Sequence, residues 1–209
     1  MRVVSRPVIA AVLFVSACLS GCVSAPSSGL HATPPGLGRL PYSDADVDFM
    51  SGMIAHHAQA VIMAGWAPTH GARKDVAILC ERMVVGQRDE IGLMQAWLGD
   101  RGETVPDGTS TRHKMKMNGM EHEMLMPGML TDEEMAALDR ARGAEFDRLF
   151  LLGMIKHHRG AIDMVDVLLK SYGAAQDDAV FKFANDVQAD QSIEIDRMQK
   201  MLEEGGHPQ

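Results

Sequence analysis

Gly52-Met53-Ile54-Ala55-His56-His57 returns in the same chain as Gly153-Met154-Ile155-Lys156-His157-His158. The copy continues, because Ala60 and Met63 are matched by Ala161 and Met164. A second phrase also repeats: Gln87-x-x-Glu90-Ile91-x-x-Met94-Gln95-x-x-Leu98 becomes Gln191-x-x-Glu194-Ile195-x-x-Met198-Gln199-x-x-Leu202. The first offset is 101 residues and the second 104, so the connection inside the second copy is three residues longer. An internal repeat constrains architecture before any local pattern does.

Each copy holds a His-His segment and a Gln-Glu-Met segment, both with helical spacing. Ile91, Met94 and Leu98 form one apolar stripe. Two helical hairpins bury such stripes best against each other. The expected fold is therefore all-α: a ferritin-like four-helix bundle of two repeated hairpins, with a long Met-rich connection between them. Ser43 is the natural N-cap of the first helix, with Asp44 and Asp46 in its first turn. That helix should run from about 44 to 67 and stop at Pro68. The second runs from Gly71 to about Leu98, ended by Gly99 and Gly102. Thr131-Asp132-Glu133-Glu134 reads as a capping box. A pause at Gly143 precedes the third long helix, to about Tyr172, and the last spans about Gln176 to Glu204. Residues 100–130 read as a loop, and no segment shows the apolar alternation of a strand. The bundle domain thus covers 43–204, with repeats at about 44–99 and 143–204 and a short tail at 205–209.

The N-terminus carries a targeting signal. Arg2 and Arg6 precede a short apolar run, Val8 to Leu19, too short to span a bilayer, and the run ends in Leu19-Ser20-Gly21-Cys22. This resembles a bacterial lipoprotein signal occupying residues 1–21, with Cys22 as the lipidated residue. An ordinary secretory signal cleaved slightly later is the alternative. Either places the mature chain outside the cytoplasm, in the lipoprotein case anchored in the cell envelope and facing the periplasm or exterior. Val23 after the Cys favours the outer membrane under enterobacterial-type sorting. Residues 22–42, with Pro26, Pro34, Pro35 and Pro41, read as a flexible tether. Cys18 leaves with the signal and Cys22 takes lipid, so Cys80 has no disulfide partner and reads as a small core residue.

Composition narrows function. The net charge is −8, and losing the two signal arginines makes it −10, which argues against a nucleic-acid partner. Aromatic residues are only 5%, while methionines number 17. Methionine fills irregular cores, but its thioether is also a soft metal ligand.

Three groups of candidate metal ligands stand out. Met53, His56, His57 and Met63 form one, and Met154, His157, His158 and Met164 its copy. Consecutive His residues on a helix point about 100° apart, so one of each pair is expected inside and the other at a boundary or surface. Di-iron carboxylate bundles need Glu-x-x-His, but here Met53 and Met154 stand three before His56 and His157. A thioether in that place shifts preference from iron to copper, chiefly Cu(I). The competing reading is that the His residues bond to Gln or Glu across the bundle and only pack. Glu90 and Glu194 read either as acceptors that orient them or as no more than a polar layer inside the bundle. The third group is the connection itself: His113, Met115, Met117, Met120, His122, Met124, Met126 and Met129. Lys114, Lys116, Glu121 and Glu123 intervene, which is hard to explain as core. The alternative there is a disordered or partner-docking linker whose Met residues cover the bundle.

The paired His-His helices, the Gln-x-x-Glu-Ile-x-x-Met helices, and the segment from Met126-Pro127-Gly128-Met129 through Met164 resemble the family known as domain of unknown function 305, over roughly residues 43–204. The resemblance implies a ferritin-like bundle of bacterial envelopes. Some members are periplasmic copper-binding proteins of the CopM type, holding copper through Met and His. The expectation is a non-enzymatic copper-binding lipoprotein that sequesters, buffers or hands over Cu(I), or Cu(II) through His, in copper tolerance. A copper exporter or chaperone is its expected partner. Two competitors remain: a ferritin-like metal-dependent oxidase, and a structural or interaction module of the envelope without metal.

Overall fold

Ser43 and Asp46 cap the first helix reciprocally. The Ser43 N–H donates to Asp46 Oδ2 at 2.7 Å, and the Asp46 N–H donates to Ser43 Oγ at 3.3 Å. Helix α1 follows as Asp44–Gly65, and α2 as Lys74–Gly99. Thr131 and Glu134 make the second capping box and start the short helix α3, Asp132–Arg140. The long helices α4, Ala144–Lys170, and α5, Asp178–Gly205, complete the bundle. The computed structural model describes residues 30–31, 41–117 and 120–205. The signal at 1–21, lipidation at Cys22, most of the 22–42 tether, Asn118-Gly119 and residues 206–209 lie outside the described residues. Among the described residues no helix is long and apolar enough to cross a membrane.

The protein is an all-α bundle. Helices α1 and α2 pair as one hairpin, α4 and α5 as the other, and the hairpins meet mainly through α1 and α4. The core lies in two clusters. One joins Phe49, Met53, Met94, Met164 and Phe183; the other joins Met63, Leu79, Phe146, Phe150, Met154 and Met198. Methionine thus supplies much of the interior that aromatic residues would fill elsewhere. Between α3 and α4 the chain breaks at Gly143, whose φ of +58° suits glycine. Its N–H donates to the His70 carbonyl at 2.8 Å, tying the break to the α1–α2 turn.

The connection differs from the expected loop. Residues β3, His113–Met117, and β4, Met120–Met124, form an antiparallel hairpin. The alternation is present in the sequence, but it is His and Met against Lys and Glu rather than aliphatic against polar. A two-residue Asn-Gly link between two runs is also a strong hairpin signal. A second, minimal ladder pairs β1, Leu30–His31, with β2, Tyr42–Ser43.

Beyond the hairpin, Met126-Pro127-Gly128-Met129 lies directly on α4. A Cβ on Gly160 would fall 1.9 Å from the Pro127 carbonyl oxygen, and one on Gly128 (φ +74°) would fall 2.5 Å from that of Lys156. Both contacts are with backbone, which cannot swing aside as a side chain can. Gly160→Ala is therefore expected to destabilise the fold by about 3 kcal/mol or more. Gly92→Ala, where nothing lies within 4 Å, should instead add about 0.5–1 kcal/mol. Urea denaturation of the two variants checks both signs.

Candidate metal site

All four repeated imidazoles are inside. His56, His57, His157 and His158 are each 0% exposed. The expected boundary or surface member of each pair is absent because α1 and α4 each have two neighbours. Directions about 100° apart both lead into the bundle. His57 Nε2 reaches Glu90 Oε2 on α2 at 2.8 Å, and His158 Nε2 reaches Glu194 Oε2 on α5 at 2.6 Å. Each carboxylate thus holds one ring from the neighbouring helix. His56 Nε2 donates to the Pro127 carbonyl at 3.1 Å, and His157 Nε2 to the His56 carbonyl at 2.9 Å. The His56 and His157 rings lie 3.7 Å apart at the centre of the pseudo-twofold.

A carbonyl oxygen only accepts, so His56 and His157 carry their protons on Nε2. Their Nδ1 lone pairs are buried without a hydrogen-bond partner, and the Nδ1 atoms of His57 and His158 also have none. Such atoms can serve as metal donors. Yet no three His, Cys, Asp or Glu side chains converge as a metal cluster among the described residues. A bundle site with three or more ligands would draw on thioethers as well.

The thioethers fall into three classes. Met53 and Met154 are fully buried in the two core clusters. Met63 lies in the second cluster, against the face of Gly153, where a Cβ would stand 3.4 Å from its Cε. Met129 is buried, and its sulfur accepts the Met126 N–H at 3.2 Å, a turn-forming contact. Met120 and Met124 are open to solvent, as is His122, while the side chain of Met117 lies outside the described residues.

The remaining group shares one cleft. His113 and Met115 of β3, Met126 of the turn and Met164 of α4 line one cleft of about 280 Å³ beside α1. Met126 rests on Gly52: a Cβ there would meet its Cε at 2.7 Å and its Sδ at 3.3 Å, with Met164 Cε at 3.5 Å. Three thioethers and one imidazole are a soft donor set suited to Cu(I). Asp48 lines the same cleft and was not singled out by sequence. Burial pushes its carboxyl up, partly offset by His113. Burial likewise pushes His113 below the usual imidazole range, partly offset by Asp48. A neutral His113 keeps a lone pair for metal at neutral pH.

The signal that could have exposed this arrangement is a polar stripe on α1. Asp48, Gly52, His56 and Gln59 share one face by their spacing. Each meets the connection in turn: Asp48 faces His113, Gly52 carries Met126, His56 holds Pro127, and Gln59 bonds both the N–H and carbonyl of Leu130 at 2.7 and 2.9 Å. Cys80 takes no part; it is buried, and burial pushes its thiol up to about 12.

The central His pair makes stability depend on pH. Burial holds His56 and His157 well below the ordinary imidazole range, reinforced by the neighbouring rings. The unfolded chain therefore binds protons that the folded one refuses. This stabilisation is complete above the unfolded pKa of about 6.5 and is lost as pH falls below it. The slope should approach about 2.7 kcal/mol per pH unit for two groups. Denaturant titrations between pH 7.5 and about pH 5 check this, and His56→Gln with His157→Gln should flatten the profile.

Comparison with known proteins follows the same outline. Solved structures with the same fold include a DUF305 protein from Streptomyces coelicolor, 24% identical, with a TM-score of 0.65 over 79% of this chain and 96% of that one. A DUF305 fragment from Deinococcus radiodurans is 25% identical, with a TM-score of 0.63 over 78% and 98%. CopM in its Cu(II)-bound form is 26% identical, with a TM-score of 0.58 over 76% and 96%; CopM structures with Cu(I) and with silver also match. No curated protein sequence gives a significant match. Residues 46–202 match the family described as domain of unknown function DUF305, and the chain belongs to that family.

Proposed function

We propose that this protein is a non-enzymatic copper-binding protein of the cell envelope, which takes up Cu(I) and buffers it or hands it on. The observation that carries the reading is the cleft that His113, Met115, Met126 and Met164 line. These residues come from a strand, a turn and a helix separated in sequence, and all four carry soft donors, although Met126 and Met164 also pack against the core. CopM, described in Cu(I)-, Cu(II)- and silver-bound forms, shares the fold and supports the reading. Asp48 and His113 add an oxygen and a nitrogen donor on one wall, a combination that tolerates Cu(II) as well. Lipid attachment at Cys22 would hold the cleft near a membrane-bound exporter or a chaperone. The lipoprotein-like signal is what supports that placement.

A second reading draws on the His57–Glu90 and His158–Glu194 pairs, which lie in one layer across all four long helices. That layer resembles the position of a carboxylate-bound di-metal oxidase centre. Here, though, each carboxylate is engaged by its own imidazole and no three such groups converge among the described residues. Iron-dependent oxygen consumption by the purified protein would favour the oxidase; the copper reading expects none.

Anaerobic Cu(I) titration against a chromophoric chelator tests the cleft. Combining Met126→Leu with Met164→Leu should weaken binding by at least roughly tenfold, since even outer-shell partners cost that much. Met53→Leu with Met154→Leu should leave it unchanged. The reverse pattern would move the metal into the bundle core.

A further inference from the structure

The β3–β4 hairpin has two chemically distinct sets of rungs. In register, His113 opposes Met124, Met115 opposes His122 and Met117 opposes Met120; the alternate rungs pair Lys114 with Glu123 and Lys116 with Glu121. Cross-strand partners share a face, so one face carries opposite charges and the other only His and Met. Methionine and histidine number 17 and 9 in 209 residues, so finding His113, Met115, Met120, His122 and Met124 together on this face is not a consequence of composition.

Exposure is graded along this face. His113 is 5% exposed and lines the cleft, Met124 opposite it is 41% exposed, and Met120 towards the tip is 62% exposed. Solvent-facing thioethers gain little from burial and are open to oxidation, so packing gives no reason for them. On the charged face, Lys114 Nζ lies 3.4 Å from Glu123 Oε1 with both side chains more than half exposed, a weak contribution to pairing. A two-stranded hairpin is marginal in water by itself. Directly opposed side chains have Cβ atoms about 4.5–5.5 Å apart, close enough for an imidazole and a thioether to share one ion.

We infer that the His/Met face of the hairpin is a second soft-ion site, contiguous with the cleft, which captures Cu(I) or another soft monovalent ion from solvent at its exposed end and delivers it to the cleft through His113 and Met115. This rests on the copper reading for its cargo. The two His–Met rungs have opposite polarity, so an ion can exchange one His–thioether pair for the next along the ladder. His113 and Met115 belong to both sites, which makes the hairpin an entry rather than an isolated store. Ion binding across the strands would also tighten the hairpin, because only the paired form presents both ligands.

Silver(I) is the probe, being soft, monovalent and redox-inert under assay conditions. The full chain would be titrated with selective labelling of the methionine methyl carbons, beside a variant carrying Met120→Leu, His122→Gln and Met124→Leu and the Met126→Leu/Met164→Leu cleft variant. The wild type should bind two ions per chain, with the Met120 and Met124 methyl resonances moving. The hairpin variant should bind one ion, with the Met126 and Met164 resonances still shifting and loading slowed by at least roughly tenfold. An unchanged ion count and loading rate in the hairpin variant would overturn the inference and leave the cleft reading intact. Loss of all binding in the hairpin variant, with no loss in the cleft variant, would instead remove the cleft and keep the hairpin as a site. Silent Met120 and Met124 resonances at saturation would overturn the inference whatever the ion count.

Discussion

The contact on which the rest of the molecule depends is the attachment of the inter-hairpin connection to one face of α1. Asp48, Gly52, His56 and Gln59 meet His113, Met126, Pro127 and Leu130 in order, like successive teeth. Gln59 contributes two hydrogen bonds to one backbone unit, and a buried hydrogen bond is worth about 1 kcal/mol net, with a larger penalty if one partner is removed. The bond from His56 fixes the Pro127 carbonyl, and Gly160 on α4 leaves room for it. The turn is thereby clamped between α1 and α4, and the base of the β-hairpin is brought to the bundle. Without this clamp, the soft donors of the connection would have no fixed relation to those of the helices.

The clamp also breaks the symmetry of the repeat. Gly52 and Gly153 are equivalent in sequence, and each makes a hollow on its helix. Met126 and Met164 meet at the first; Leu130 and Met63 meet at the second. The connection crosses the pseudo-twofold once, so it presents a thioether to one hollow and an aliphatic chain to the other. Duplicated packing therefore leaves only one hollow with two sulfurs. The proposed copper chemistry follows that asymmetry rather than the duplication.

The helical bundle was legible because its determinants are local or periodic. Ser43 and Thr131 with their partners three residues on mark helix starts, Gly143 marks a break, and the repeated phrases mark the hairpins. The hairpin in the connection was missed because its alternation sets His and Met against Lys and Glu, a pattern that hydropathy does not register. The burial of both His residues in each pair was missed for a geometric reason: a bundle helix has two interior directions. The grouping of ligands was not legible at all. Met164 pairs with Met126 rather than acting only beside His157 and His158, and Asp48 joins His113 across 65 positions. Those relations depend on where the connection lands on α1, and no spacing in the chain encodes it.

Anomalous diffraction from crystals loaded anaerobically with Cu(I) tests the central claim most directly. The account predicts a copper peak in the cleft beside α1, within bonding distance of the sulfurs of Met126 and Met164 and a ring nitrogen of His113. A peak between His57 and Glu90 or His158 and Glu194, with the cleft empty, would contradict it.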